Sequence, residues 1–322
     1  MADVNLGTRG SQLALVQARM VAALIDERTG VPCRQVVIKT SGDRLSEASL
    51  SEIGGKRLFV KEIEDALLAG DIDLAVHSSK DMPAVLPEGL AIGAVLPRED
   101  PRDAIVLPGT AAPASIEAIA ATLGNGPRIG TSSVRRTAQL TRLFPNARFG
   151  PIRGNLDTRM RKLDSGDYDA LVLASAGLIR LQHGHRVSAS LPIDVCVPAP
   201  GQGIIAIEIR RDDDRMRQMV ATIDDAAAAA ALTAERALVE RLGGGCQMPI
   251  GAYARIDNDT IHIIGVVISL DGARVVRAEA RGSINDASAA GNAAAARLLE
   301  DGADAILAEA RTEASAVEGL QP

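Results

Sequence analysis

Nine cations crowd residues 128–162: arginines at 128, 135, 136, 142, 148, 153, 159 and 161, with Lys162, against the single acid Asp157. The segment carries +8 inside a chain whose formal net charge is −6, so any attraction for anions is local rather than global. Arginine makes up 30 of the 35 basic residues, so the clustering is the signal, not the choice of residue. A guanidinium fork suits carboxylate or phosphate, and each charge-assisted bond contributes about 1.5–3 kcal/mol where water is partly excluded. Within the segment, Gly130-Thr131-Ser132-Ser133 joins an apolar strand pattern to a helix start. Free N–H groups and hydroxyls would face an anion there, with Arg135 and Arg136 in the first turn. Simple Ser/Thr capping is the alternative, but it leaves two cations where the helix dipole opposes them. Arg9 and Ser11, in Gly7-Thr8-Arg9-Gly10-Ser11, repeat the arrangement and place the ligand between two similar halves.

Two further groups could do chemistry. Ser78-Ser79-Lys80-Asp81 follows the apolar run 72–77, setting a cation and a carboxylate at the C-terminal end of a strand, where open α/β sheets bind ligands. A solvated loop ion pair is the alternative. Cys246 follows three glycines, which leave its sulfur little hindered. A thiol near its reference pKa of about 8.5 is only a few per cent thiolate at neutral pH, yet that fraction is a strong nucleophile. Cys33 and Cys196 sit beside apolar or proline neighbours and are expected to pack.

These residues need a scaffold of alternating strands and helices. Periodicity predicts strands over 3–8, 35–40, 72–77 and 90–96, with helices over 12–27 and 58–69. Helices over 115–123, 134–143 and 156–165 then alternate with strands over 128–130, 148–149 and 170–174. The fold class is α/β. Pro97-Arg98-Glu99-Asp100-Pro101 breaks the first pattern and Pro198 to Gly203 ends the second, after which a strand over 204–210 can return to the first sheet. The expected units are therefore 1–99 with 203–221, then 100–202, then a small α+β unit over 222–322 that begins in an alanine-rich helix. The turns Gly70-Asp71-Ile72-Asp73 and Gly166-Asp167-Tyr168-Asp169, each followed by an apolar strand ending in serine, favour a duplicated plan.

Composition excludes several classes. Three Phe, two Tyr and no Trp leave almost nothing for a base-stacking platform, and no apolar run is long enough to span a bilayer. Three scattered cysteines and four histidines build neither a disulfide framework nor a metal knuckle, so we expect no metal and a reducing cytoplasm. Neither nucleic acid nor membrane is expected as a partner.

The same residues carry a resemblance. Gly7 to Ala14, Gly54 to Glu62, Ala75 to Pro83, Gly130 to Arg136, Arg153-Gly154-Asn155 and Gly243 to Gly251 resemble, in order along nearly the whole chain, the motifs of the porphobilinogen deaminase (hydroxymethylbilane synthase) family. The resemblance implies two periplasmic-binding-protein-like (type II) α/β domains with a hinge and a third domain bearing a dipyrromethane cofactor, as a thioether on Cys246. It implies a transferase that joins four porphobilinogen units head to tail, releasing ammonia at each step, and then hydrolyses off hydroxymethylbilane. Asp81 is then the catalytic carboxylate. Arg9, Ser11, Lys56, Ser78, Lys80, Thr131, Ser132, Ser133, Arg135, Arg136, Arg153, Gly154, Arg159 and Arg180 match positions that hold the carboxylates of cofactor and substrate. A monomer that passes its product to the next tetrapyrrole enzyme is expected. Glu52 and Arg57 depart from the family pattern in the loop around Lys56. The rival reading, a non-enzymatic two-domain receptor for a small anion, explains the repeats and the arginines but gives Cys246 no purpose.

Overall fold

A computed structural model describes residues 3–44, 60–109, 114–244 and 248–319. The first sheet is built from β1 (Val4–Thr8), β2 (Cys33–Val37), β3 (Leu74–Ser78) and β4 (Leu90–Val95), with α1 (Gln12–Thr29), α2 (Ser41–Arg44) and α3 (Lys61–Ala69) between them. The second holds β5 (Asp103–Val106), β6 (Arg128–Gly130), β7 (Arg148–Gly150), β8 (Ala170–Ala174) and β9 (Ala189–Ser190), interleaved with α4 (Ile116–Leu123), α5 (Val134–Leu140), α6 (Leu156–Asp164) and α7 (Ser175–Arg180). The chain then returns through β10 (Ile205–Arg210) and α8 (Asp214–Ala221). It ends in α9 (Ala226–Arg241), the antiparallel strands β11 (Ile250–Asp257), β12 (Thr260–Ile268) and β13 (Val275–Ser283), and α10 (Ala287–Glu300) and α11 (Ala303–Gly319).

Strand order reads β2-β1-β3-β10-β4 in one sheet and β7-β6-β8-β5-β9 in the other. Both place three parallel strands beside one antiparallel strand that arrives directly from a crossing between the sheets, β10 in the first and β5 in the second. That shared order is the type II periplasmic-binding-protein plan.

Local chemistry explains the elements. Ser11 caps α1 by accepting from the Ala14 N–H, and Gly30 closes it in the left-handed conformation at φ 67°. β3 is buried along almost its whole length because helices cover both faces: Leu74 and Val76 meet α1, while Ala75 packs on Ile63 and Leu67 of α3. Two expectations need correction. The strand expected over 35–40 lies at Cys33–Val37, because Val4–Thr8 fixes its register from Val4↔Cys33 onward. Asp103–Val106 was not expected to be a strand, yet all four residues are buried; three apolar residues behind a charged run are too few to show a period.

The two crossings touch. Glu99 N–H donates to the Gly203 carbonyl at 3.1 Å, and Gly203, at φ 91°, has no room for a side chain, since a Cβ there would lie 2.3 Å from the Glu99 oxygen. Arg98, on the first crossing, is clamped by Glu235 of α9: Nη1 to Oε1 is 2.5 Å and Nη2 to Oε2 is 3.1 Å. Glu235, fully buried, also accepts from the backbone N–H of Gly201, on the second crossing, and of Ala254 in β11. One carboxylate thus ties both crossings to the third sheet.

Candidate functional site

Ser78 ends β3, and residues 79–81 make a single turn that presents Asp81 at the surface of a small cavity lined also by Arg9, Ser11, Gln17, His77 and Ser78. The turn is braced from behind. Ser78 Oγ accepts from Gln17 Nε2 at 2.9 Å and lies 3.1 Å from Gln17 Oε1, while buried His77 meets buried Glu208 of β10 at 3.1 Å. Asp81 therefore stands on a rigid platform while its own carboxylate stays exposed.

The second group is the arginine cluster. Arg135 and Arg136 project from the first turn of α5, capped by Ser133. Both are buried, and both meet Asp103, the fully buried first residue of β5. Arg136 Nη2 and Nε reach Oδ1 at 2.7 and 3.0 Å, and Arg135 Nη1 reaches Oδ2 at 2.8 Å. Burial pushes the Asp103 carboxyl up, but the two guanidinium groups pull it further the other way, well below the usual carboxylate range. Gln202 of the second crossing donates to the same Oδ1 at 2.9 Å, and its Oε1 faces Lys80 Nζ at 3.5 Å. A continuous polar chain therefore runs from the turn beside Asp81, through the crossings, to the arginine pair.

The field of this cluster is visible in its members. Lys80 is held down to about 8, first by burial and then by Arg136 and Arg135, against the pull of Asp81 and Asp103. Arg159 of α6, whose Nε donates to the Gly154 carbonyl at 2.9 Å, is lowered to about 10 by burial and by Arg136 and Arg153, with Asp81 opposing. Lys80 is protonated below its value and neutral above it. Affinity for a carboxylate ligand is accordingly expected to fall as pH rises through about 8. Measuring KM on both sides of that value checks this, and the step should vanish in Lys80→Met; a step that survives in the variant belongs to another group.

The other predicted residues take distinct places. Thr131 Oγ1 accepts from the Ser133 N–H, and Ser133 Oγ accepts from the Arg136 N–H, so capping is part of their work. The Ser132 hydroxyl both donates to and accepts from the Ile152 backbone, which braces the loop. Gly154, at φ 99°, contributes its carbonyl to Arg159 and no side chain. Arg180 reaches the Gly203 carbonyl of the second crossing at 2.7 Å. Lys56, Cys246, Glu52 and Arg57 lie outside the described residues. Sequence reasoning missed Gln17, His77, Asp103, Gln202 and Glu208. A single buried polar residue on a helix, strand or crossing leaves no periodic trace, though Gln202 sits in a segment marked as a crossing and Asp103 lies two residues beyond the other.

Two protein-family profiles cover most of the chain. "Porphobilinogen deaminase, dipyromethane cofactor binding domain" matches residues 4–218, and "Porphobilinogen deaminase, C-terminal domain" matches 229–300. Among curated relatives, porphobilinogen deaminase of Moorella thermoacetica is 45% identical, covering 99% of this chain and 100% of its own length. That of Desulforudis audaxviator is 48% identical, covering 97% and 99%. Solved structures with a related backbone include the methionine binding protein MetQ (TM-score 0.43, 12% identity, 69% of this chain and 89% of that one). The Bordetella pertussis BvgS VFT2 domain is another (TM-score 0.39, 17% identity, 68% and 86%).

Proposed function

The chain belongs to the porphobilinogen deaminase family, and from that premise we propose how its own residues divide the work. The reaction joins four porphobilinogen units head to tail on a covalently held dipyrromethane cofactor and hydrolyses off hydroxymethylbilane, a step of tetrapyrrole biosynthesis. When bound, the cofactor supplies a primer on which the oligopyrrole grows.

The donor set fits such a group. Every pyrrole carries an acetate and a propionate, and Lys80, Arg135, Arg136, Arg153 and Arg159 form a linked set of cations that reaches Asp81 through Lys80 and Arg159. Ser79 Oγ and Arg135 Nε are buried with no hydrogen-bond partner among the described residues, which is costly unless a ligand acceptor or donor completes them. Arg9, Ser11, Ser78, Thr131 and Ser133 extend the polar wall, and Lys56 is assigned to it by its family motif. Cys246 carries the thioether in this reading.

Asp81 performs the charge handling. As ammonia leaves porphobilinogen, the remaining pyrrole carries a positive charge beside the exposed Asp81 carboxylate. Asp81 stabilises that charge, accepts hydrogen bonds from pyrrole N–H groups and takes part in moving the proton displaced when the rings couple. The single observation that carries the reading is an exposed carboxylate on a braced turn, within the field of Arg159, Arg136 and Lys80.

We divide the chain into residues 1–99 with 203–221, which bear Asp81; 100–202, which bear the arginines; and 222–322, which bear Cys246. The enzyme acts as a cytoplasmic monomer without metal and passes its product to an enzyme that uses the linear tetrapyrrole; the thiols of Cys33 and Cys196, both free, suit a reducing compartment. Intact mass tests the tether. The full chain should exceed its sequence mass by two pyrrole units, and Cys246→Ser should not. An unmodified parent, or a modified Cys246→Ser, removes the assignment of Cys246.

A further inference from the structure

We propose that Asp103 is an internal counter-carboxylate: it limits how tightly Arg135 and Arg136 grip the growing oligopyrrole, so that the finished chain can leave. The inference rests on the reading that this arginine pair receives ligand carboxylates.

Asp103 cannot touch the ligand, because it is fully buried and both its oxygens are saturated. Oδ1 accepts from Arg136 Nε, Arg136 Nη2 and Gln202 Nε2, and Oδ2 from Arg135 Nη1 and the Cys196 thiol. It acts through the arginines, as a positioning residue. The arginines themselves are not saturated. A guanidinium has five N–H groups. Arg136 directs Nε and Nη2 at Asp103 and Nη1 at the Val172 carbonyl, three bonds in all, which leaves donors over. Arg135 directs Nη1 at Asp103, at the Val197 carbonyl and at the Cys196 sulfur, while its buried Nε meets no acceptor among the described residues. Each arginine is thus committed to an internal carboxylate and still keeps N–H groups beyond those its internal acceptors use.

Stability alone does not account for the triad. Buried ion pairs and triads are often replaced by apolar residues at no loss, and here two cations share one anion, so the triad keeps a net charge of +1. The reaction supplies a reason. The ligand gains two carboxylates with every unit added, while the cleft keeps the same cations, so an unopposed pair would favour the longest chain most and retain it after the last coupling. Asp103 halves the pair's charge where solvent screens it least.

The prediction has a sign that a merely structural role does not share. With the ligand carboxylate roughly 7 Å from Asp103 across a guanidinium and an effective dielectric near 20, removing its charge should tighten binding tenfold or more. The apo protein should at the same time lose stability.

The test uses the full chain carrying Cys246→Ser, and uroporphyrin, an octacarboxylate, as a fluorescent probe. Asp103→Asn is expected to bind the probe about tenfold more tightly or better. In the holoenzyme given limiting porphobilinogen, Asp103→Asn should shift the covalent complexes seen by intact mass toward the species bearing all four added units. Should Asp103→Asn fail to fold, the comparison moves into Arg135→Gln, where Asp103 has one arginine left. There the double variant should bind the probe more tightly than Arg135→Gln alone. Equal or weaker binding in whichever background folds, or an unchanged mass distribution, overturns the proposal. Arg136→Gln, with Asp103 intact, tests the underlying reading separately. Unchanged probe affinity in that variant means the arginine pair does not receive carboxylates at all.

Discussion

Asp81→Asn is expected to lower turnover about a thousandfold while leaving the fold and ligand binding in place. A carboxylate about 4 Å from a unit positive charge stabilises it by about 4 kcal/mol at an effective dielectric near 20. Felt mainly as ammonia departs, that is roughly three powers of ten in rate. The substitution is nearly isosteric. Asp81 is exposed and makes no ion pair among the described residues, so the turn it stands on, braced by Gln17 and by His77 with Glu208, should be undisturbed. Unfolding temperature and the circular dichroism spectrum should therefore match the parent while ammonia release collapses. Turnover within tenfold of the parent would falsify the assignment of Asp81.

Glu235→Ala is expected to be the most destabilising single substitution outside the hydrophobic cores. It strands Arg98 beside Tyr253, whose ring lies 4.9 Å below the guanidinium, and deprives the Gly201 and Ala254 N–H groups of their acceptor. Breaking one side of a buried ion pair costs about 3–5 kcal/mol because the surviving charge stays desolvated. Set against a typical total of about 5–15 kcal/mol, that loss is large enough to change the unfolding transition itself. Since Glu235 joins the third sheet to both crossings, the transition should also lose cooperativity, with α9 to α11 melting apart from the rest. Urea titration followed by two probes, one on each side of the junction, checks this. A midpoint shift equivalent to less than about 1 kcal/mol, with coincident probes, would mean that the junction is solvated and the pair is worth no more than a surface one.

Much of this architecture was legible before the coordinates. The period of 3.6 residues marked α1, apolar runs marked β1, β3, β4 and β10, and proline and glycine marked both crossings. The motif at 78–81 could be placed at a strand's end because strand ends are where the periodicity stops. Asp81 and Lys80 could be named as a result. So could the arginine cluster, since clustering is a property of neighbours along the chain.

The segment 97–103 shows where such reading stops. Arg98, Glu99, Asp100, Arg102 and Asp103 form an alternating charged run of the kind that solvent covers. Arg102 and Asp100 behave that way, pairing at the surface. In the same seven residues Asp103 is instead fully buried, and Arg98 is drawn inward onto the buried Glu235, so that they hold the crossings and the arginine pair together. Counting charges over 128–162 gave +8 because the acid that offsets Arg135 and Arg136 lies 33 residues upstream of Arg136.

Composition, spacing and motif order along the chain determined the kind of elements, their succession and the family. Which charges are solvated and which are buried keystones was decided only by the tertiary structure. Desolvation and Coulomb attraction depend on distances in space, and those two crossings bring together residues that no local window contains.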